Sequence, residues 1–407
     1  MSNPSGSLTI AIRRDGGAAA VTIGSTRPVT AARVFAGMTV QEAAARIPLL
    51  FSVCGTAQAA ACAAACEQAI EQRADAAVQE RRRWLLAAET IREHLWRLLL
   101  DWPAALGRMP ASAAMAEVMR AYQSLRALLT ADAAPFAPGA TAVPVDAADG
   151  TELAEALTRC ALTQVFGHDA GHWRAMVTDA DGLRDWASSA GTPAAALVLA
   201  LLDENLAGLG RNPVQPLPVD AANQQGPMLE GAEADTFVAA PTWRGEPRET
   251  TPFARRLAEP LVADLIRRHG NGLLPRLAAL LIELAHACTA LPAKKGSDPF
   301  FEKRGQSPFL ALRSGSPADA LPAGTGLGVA HAARGLLVHR VVVADGRIAG
   351  YRILAPTEWN FHPAGVVAAG LAAIARNGPT EPAELARLAR LHITAIDPCV
   401  AYQLSVS

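Results

Sequence analysis

Between residues 39 and about 135 the chain carries an almost unbroken helical pattern, and this constrains its fold more than any other feature. Ala57 to Arg73 and Ala76 to Trp102 are rich in Ala, Leu, Glu and Arg, with apolar residues returning at a period near 3.6. Thr39, with Glu42 three residues later, has the form of a capping box that opens the first helix. Pro103 and Pro110 punctuate before another helix over 113–129. Further helices are expected at 151–165, 182–189, 192–207, 252–268 and 271–290, with shorter ones at 363–375 and 381–390.

Two places break this pattern. Leu8 to Arg13 and Ala18 to Ile23 have strand character around Asp15-Gly16-Gly17. Leu336 to Val343 and Arg347 to Ala355 are apolar and β-branched around Asp345-Gly346, the strongest hairpin signal in the chain. The expected fold is therefore mainly α: a large helical bundle core with small β-hairpins near both ends, forming a single domain over residues 1–407. Residues 132–149 and 208–250, rich in turn-forming residues, read as connections. Residues 292–322 stand apart. There Ser297-Asp298-Pro299-Phe300 is echoed by Ser307-Pro308-Phe309 around Glu302-Lys303-Arg304, which reads as an inserted surface loop.

Charge and composition exclude several functions. Lys and Arg total 37 against 38 Asp and Glu, a balance that suits neither a nucleic-acid coat nor a polybasic membrane patch. A hydrophobic content of 51% excludes an intrinsically disordered chain. Met1 to Ser7 has no basic stretch leading into an apolar one, so no secretory signal is expected. No membrane span is expected either, because the best apolar run, Gly272 to Leu291, is broken by Arg276, Glu283 and His286. The protein is expected to be cytoplasmic, with its thiols reduced.

Six cysteines then need a role: Cys54, Cys62, Cys66, Cys160, Cys288 and Cys399. None forms a Cys-x-x-Cys pair, so no zinc finger or thioredoxin-type motif is present. Cys62 and Cys66, four apart on an Ala-rich helix, share a face; packing is favoured over a two-thiolate site. Cys160 and Cys288 occupy apolar helical positions and read as core. His168 and His172 are also four apart, but the flanking Gly167 and Gly171 weaken a helix there and favour a solvated or packing role.

Cys54 and Cys399 lie in stronger contexts, Phe51-Ser52-Val53-Cys54-Gly55-Thr56-Ala57 and Asp397-Pro398-Cys399-Val400-Ala401-Tyr402. These resemble the Arg-x-Cys-Gly-x-Cys and Asp-Pro-Cys-x-x-Cys motifs of the nickel–iron hydrogenase large subunit. The resemblance extends in order through Phe35-Ala36-Gly37-Met38, Glu42-Ala43, Ala87 to His94, Arg334-Gly335-Leu336, His339, Asp345-Gly346, Tyr351, Pro356-Thr357-Glu358-Trp359-Asn360 and His392. It is least clear from about 135 to 250.

The departures carry as much meaning. Ser52 stands where the family has arginine. Ala57 and Tyr402 stand where it has its second and fourth cysteines, the vacated bridging positions between nickel and iron. Ser405 stands where it has a terminal histidine, and with the chain ending at Ser407 no tail is expected to be cleaved. Leu8 to Arg13 lacks the family's proton-transferring acid. The resemblance thus implies a site without nickel and a protein that is not an enzyme. What remains is Cys54 and Cys399 as metal ligands, with Arg334, Pro356 and Thr357 as a ligand cradle. In the family the iron carries cyanide and carbonyl. Metal-bound cyanide is an anionic acceptor, for which a charge-assisted bond from arginine is about twice as strong as a neutral one. A cradle retained with half the thiolates resembles the degenerate accessory homologues of the HupK and HoxV type. That resemblance implies a scaffold that holds an iron–cyanide–carbonyl fragment transiently, with the hydrogenase large subunit and maturation chaperones as partners. The alternative is a metal-free interaction module that imitates the large subunit to bind a chaperone.

Overall fold

The computed structural model describes residues 5–15, 18–51, 53–131, 134–141, 147–293 and 321–407. Ser52 and nearly all of the echoed 292–322 segment lie outside the described residues.

The capping box forms. Thr39 Oγ1 accepts from the Glu42 N–H at 3.2 Å and the Glu42 carboxylate accepts from the Thr39 N–H at 2.8 Å, which opens α1 (Val40–Leu50). Next come α2 (Gly55–Ala69) and α3 (Ala76–Trp96). The helix expected to reach Trp102 is regular only to Trp96; a π turn at Arg97–Asp101 and a short Trp102–Ala105 helix complete it. The expected 252–268 helix is two, Pro252–Arg255 and Pro260–His269, because Pro260 cannot continue a helix and can only begin one. The last helix runs from Pro382 to Ile396. The 208–250 connection holds a short helix of its own, Ala234–Ala239.

Six strands form two sheets: β1 (Leu8–Asp15), β2 (Ala18–Ser25), β3 (Thr325–Ala332), β4 (Gly335–Ala344), β5 (Arg347–Leu354) and β6 (Tyr402–Val406). Both expected hairpins are present, but each gains a third strand. β4 and β5 turn at Asp345-Gly346, both at positive φ, and β3 joins the other edge of β4. β6 pairs parallel with β1, with Leu8 opposite Tyr402 and Ile12 opposite Val406, so the two ends of the chain meet in one sheet. Tyr-Gln-Leu-Ser-Val is too short to announce a strand by periodicity. It pairs because β1, already bonded to β2 on one edge, offers its other edge.

The main core gathers apolar side chains of α3, the helices that follow it and the inner face of β1. Leu273–Ala290 is long and apolar enough to cross a membrane, yet 78% of it is buried in this core, and among the described residues no other helix passes that test. A second, smaller core lies between α2 and the β3–β4–β5 sheet. Alternation sorts β4: Leu337 and Val341 face α2, while Leu336 and Val338 face Trp359 on the other side.

The alanine run in α2 follows from its partner strand. A Cβ on Gly328 would sit 1.9 Å from the Ala61 carbonyl oxygen, and one on Gly326 1.8 Å from that of Ala65. Two strand residues advance about 6.6 Å and four helical residues about 6 Å, so the glycine and alanine pairs stay matched. This contact sets α2, and Cys54 at its head, firmly against the sheet.

Candidate functional site

The β1–β6 pairing places Cys399, three residues before Tyr402, beside the segment that leaves β2. From that segment Arg27 Nη1 donates to the Cys399 sulfur at 3.2 Å, and Arg27 Nε donates to Glu358 Oε1 at 2.5 Å. Burial works against the Arg27 charge, but Glu358 and the two sulfurs, Cys399 more than Cys54, hold it in place. Thr357 Oγ1 lies 2.8 Å from the Cys399 sulfur. Its short helix, Pro356–Asn360, begins with the proline at its first turn. Asn360 anchors that helix: its Oδ1 accepts from the Thr250 N–H at 2.8 Å and its Nδ2 donates to the Arg334 carbonyl at 3.0 Å.

Cys54 occupies the N-cap of α2 without capping it. The cap comes from α3 instead, where Glu89 accepts from the Thr56 and Ala57 N–H groups at 2.8 and 2.9 Å. A carboxylate at a helix N-terminus satisfies unpaired donors and the helix dipole together. Burial nonetheless raises Glu89 above the usual carboxylate range. Arg92 ties the preceding loop to α3 through the Val53 carbonyl at 3.0 Å. Burial, then Cys399, then Glu89 push the Cys54 thiol up to about 12; Arg334 and the Gln58 amide, 3.9 Å from the sulfur, oppose them. The cysteines near the two ends of the chain therefore act on one another.

Arg334 stands in the β3–β4 turn. Its Nη1 donates to Glu93 at 2.7 Å and its Nε lies 3.1 Å from Asp397 Oδ2, without hydrogen-bond alignment. Burial opposes its charge, while Asp397, Glu93 and Cys399 support it. Removing one partner of such a buried pair costs about 3–5 kcal/mol. Asp397 ends the last helix at φ +66°, and that turn aims its carboxylate at both Arg334 and Arg97.

Among the described residues, no three His, Cys, Asp or Glu side chains form a metal-holding group. Two sulfurs are what this site offers a soft metal. Ala57 is fully buried in the first turn of α2, its N–H on Glu89. Tyr402 opens β6 opposite Leu8 and packs on the main core. Cys62 and Cys66 are buried with their sulfurs 3.9 Å apart, next to His339 and Tyr351. Cys288 is buried and Cys160 partly so. His168 and His172 are exposed, ring against ring at 6.0 Å.

Arg27 has no signal in the sequence. Nothing in Ser25-Thr26-Arg27-Pro28 marks it, and only the sheet topology brings it to Cys399. Glu358 was legible in principle: an acid inside an otherwise uncharged, apolar-flanked motif demands a partner.

The nickel-dependent hydrogenase family model matches residues 303–404. The chain is 31% identical to the hydrogenase expression/formation protein HupK of Azotobacter vinelandii, over 98% of both chains. It is 32% identical to HoxV of Cupriavidus necator, also a hydrogenase expression/formation protein, over 93% of this chain and 91% of that one. The uptake hydrogenase large subunit of Rhodobacter capsulatus is 39% identical over 82 residues, 19% of this chain and 13% of that one. Among solved structures, a [NiFeSe] hydrogenase from Desulfovibrio vulgaris Hildenborough superposes with a TM-score of 0.60 at 15% identity, covering 98% of this chain and 99% of that one. The fold is thus that of a hydrogenase large subunit, mainly α with small sheets, and by full-length identity the chain belongs to the HupK/HoxV family of hydrogenase expression/formation proteins.

Proposed function

We propose that this protein is a non-catalytic accessory factor in hydrogenase maturation, which transiently holds an iron fragment bearing cyanide and carbonyl and passes it to the hydrogenase large subunit. The names of its relatives, hydrogenase expression/formation proteins, support the accessory role. The observation that carries the finer reading is the convergence of Cys54 and Cys399 from opposite ends of the chain, with Thr357 and Arg334 beside them. Two thiolates suit a soft, low-spin iron, and fewer anchors ease its release. Arg334 and Thr357 supply donors to cyanide, and Pro356 adds an apolar wall where carbonyl, a poor acceptor, rests. With Ala57 and Tyr402 at the vacated bridging positions, nickel is not held. The transfer takes place in the cytoplasm, with maturation chaperones as further partners.

Infrared spectra of the chain purified with its maturation partners should show bands of metal-bound cyanide and carbonyl, absent from a Cys54→Ala/Cys399→Ala variant. Bands that persist in that variant would overturn the ligand assignment. A variant that still supports full maturation would instead favour a metal-free module that binds partners by imitating the large subunit.

A further inference from the structure

Arg27 lies outside the motifs shared with hydrogenases, yet it is a close polar contact of Cys399. Its side chain is 14% exposed and that of Glu358 7%. A guanidinium carries five N–H donors in a planar fork. Here Nε is spent on Glu358 and one Nη1 donor on sulfur, while Nη2 makes no hydrogen bond to a described residue. Glu358 Oε2 is buried with no hydrogen-bond partner. Glu358 also occupies the position where the Pro-Thr-Thr-Trp-Asn motif has a neutral threonine. The Arg27–Glu358 pair therefore lies outside the hydrogenase motifs that this chain resembles. One Nη1 proton and both Nη2 protons are thus left without an acceptor among the described residues, next to the Cys399 sulfur.

Resting on the function proposed above, we propose that Arg27 is a second binding residue for the iron fragment: its free Nη2 donates to one metal-bound cyanide while Glu358 positions the guanidinium beside Cys399. Arg334 reaches the same sulfurs from the other sheet. Two guanidiniums, one following β2 and one in the β3–β4 turn, then serve two anionic ligands. The weakly accepting carbonyl is left to the apolar side. Arginine suits this role better than lysine, since its fork serves carboxylate, sulfur and cyanide in one plane.

The test is infrared spectroscopy and iron analysis on the full chain isolated with its maturation partners, comparing wild type with Arg27→Met, Arg27→Lys and Glu358→Gln. In Arg27→Met one cyanide band should shift while the carbonyl band moves less, and iron per chain should fall about tenfold, the effect of one charge-assisted hydrogen bond. Arg27→Lys should shift the same band while retaining more iron, and Glu358→Gln should shift it least. If Arg27→Met does not fold, Arg27→Lys decides. Cyanide bands present in wild type but unmoved in folded Arg27 variants, with unchanged iron, would overturn this inference alone. No cyanide bands in wild type would overturn the proposed function and this inference with it.

Discussion

Cys54, Gln58, Cys62 and Cys66 fall four residues apart along one face of α2, yet the two ends of that face have different surroundings. At the head of the helix, Cys54 is partly exposed among a second thiol, two guanidiniums and a carboxylate. Further along the helix, Cys62 and Cys66 are sealed between alanines, the glycines of β3 and the His339–Tyr351 pair. Their sulfur–sulfur contact at 3.9 Å lowers the Cys62 thiol and, together with burial, raises that of Cys66. The same side chain is a ligand candidate in one place and packing in the other, and its neighbours make the difference. A hydrogen-bond chain joins the two ends. Gln58 Oε1 can only accept, so His339 carries its proton on Nε2, 2.8 Å away, and its Nδ1 accepts from the Tyr351 hydroxyl at 2.8 Å.

The sharpest way to break this comparison is to unseat the closed end. In Gly328→Ala the new methyl would lie 1.9 Å from the Ala61 carbonyl oxygen and 2.7 Å from the Ala65 nitrogen. Both are backbone atoms, and no rotamer relieves the clash. Urea denaturation should show a loss of about 3 kcal/mol or more. A loss below about 1 kcal/mol would mean that α2 and β3 are not closely seated, and the distinction between the two ends would collapse.

The link between them can be probed by pH. Burial lowers the pKa of His339 from 6.5, so the unfolded chain takes up a proton first as the solution is acidified. Stability from this group is full above 6.5 and is lost as pH falls toward the lower value of the folded chain. The loss is about 1.4 kcal/mol for each pH unit between the two values. Melting temperatures measured from pH 7.5 to 5 should therefore fall less steeply for His339→Gln than for wild type. Partly buried His331 and buried His392, each lowered by desolvation to about 3, keep part of the slope in both proteins. Equal slopes would show that His339 is not held neutral between Gln58 and Tyr351.

What could be foreseen from sequence follows the distance over which each feature is determined. The Thr39–Glu42 box and the Asp345-Gly346 turn are set by four neighbouring residues and are present in the structure. β6 gives no local sign of itself because its partner, β1, lies at the other end of the chain. Cys54 and Cys399 stood out only through motif context. The partners of Arg334, Glu93 and Asp397, come from helices that no local pattern connects. The match of Gly326 and Gly328 to the alanines of α2 is invisible in either segment alone, since one repeats every two residues and the other every four.

The smallest expected effect compares the sulfurs directly. Cys62→Ala removes a fully buried sulfur together with its 3.9 Å contact to Cys66, so it should cost about 1–2 kcal/mol. Cys54→Ala removes the sulfur of a partly exposed residue, whose hydrogen-bond contact is the Gln58 amide at 3.9 Å, and should stay within about 0.5 kcal/mol. Both can be read from urea midpoints at constant slope. Had Cys54 been kept for packing, its loss would be felt as strongly as that of Cys62. Equal costs would therefore remove the structural reason for treating the head of α2 as a binding site. A near-silent Cys54→Ala leaves the thiol free for a ligand, because a group that contributes little to folding can be given over to binding without weakening the scaffold that carries it.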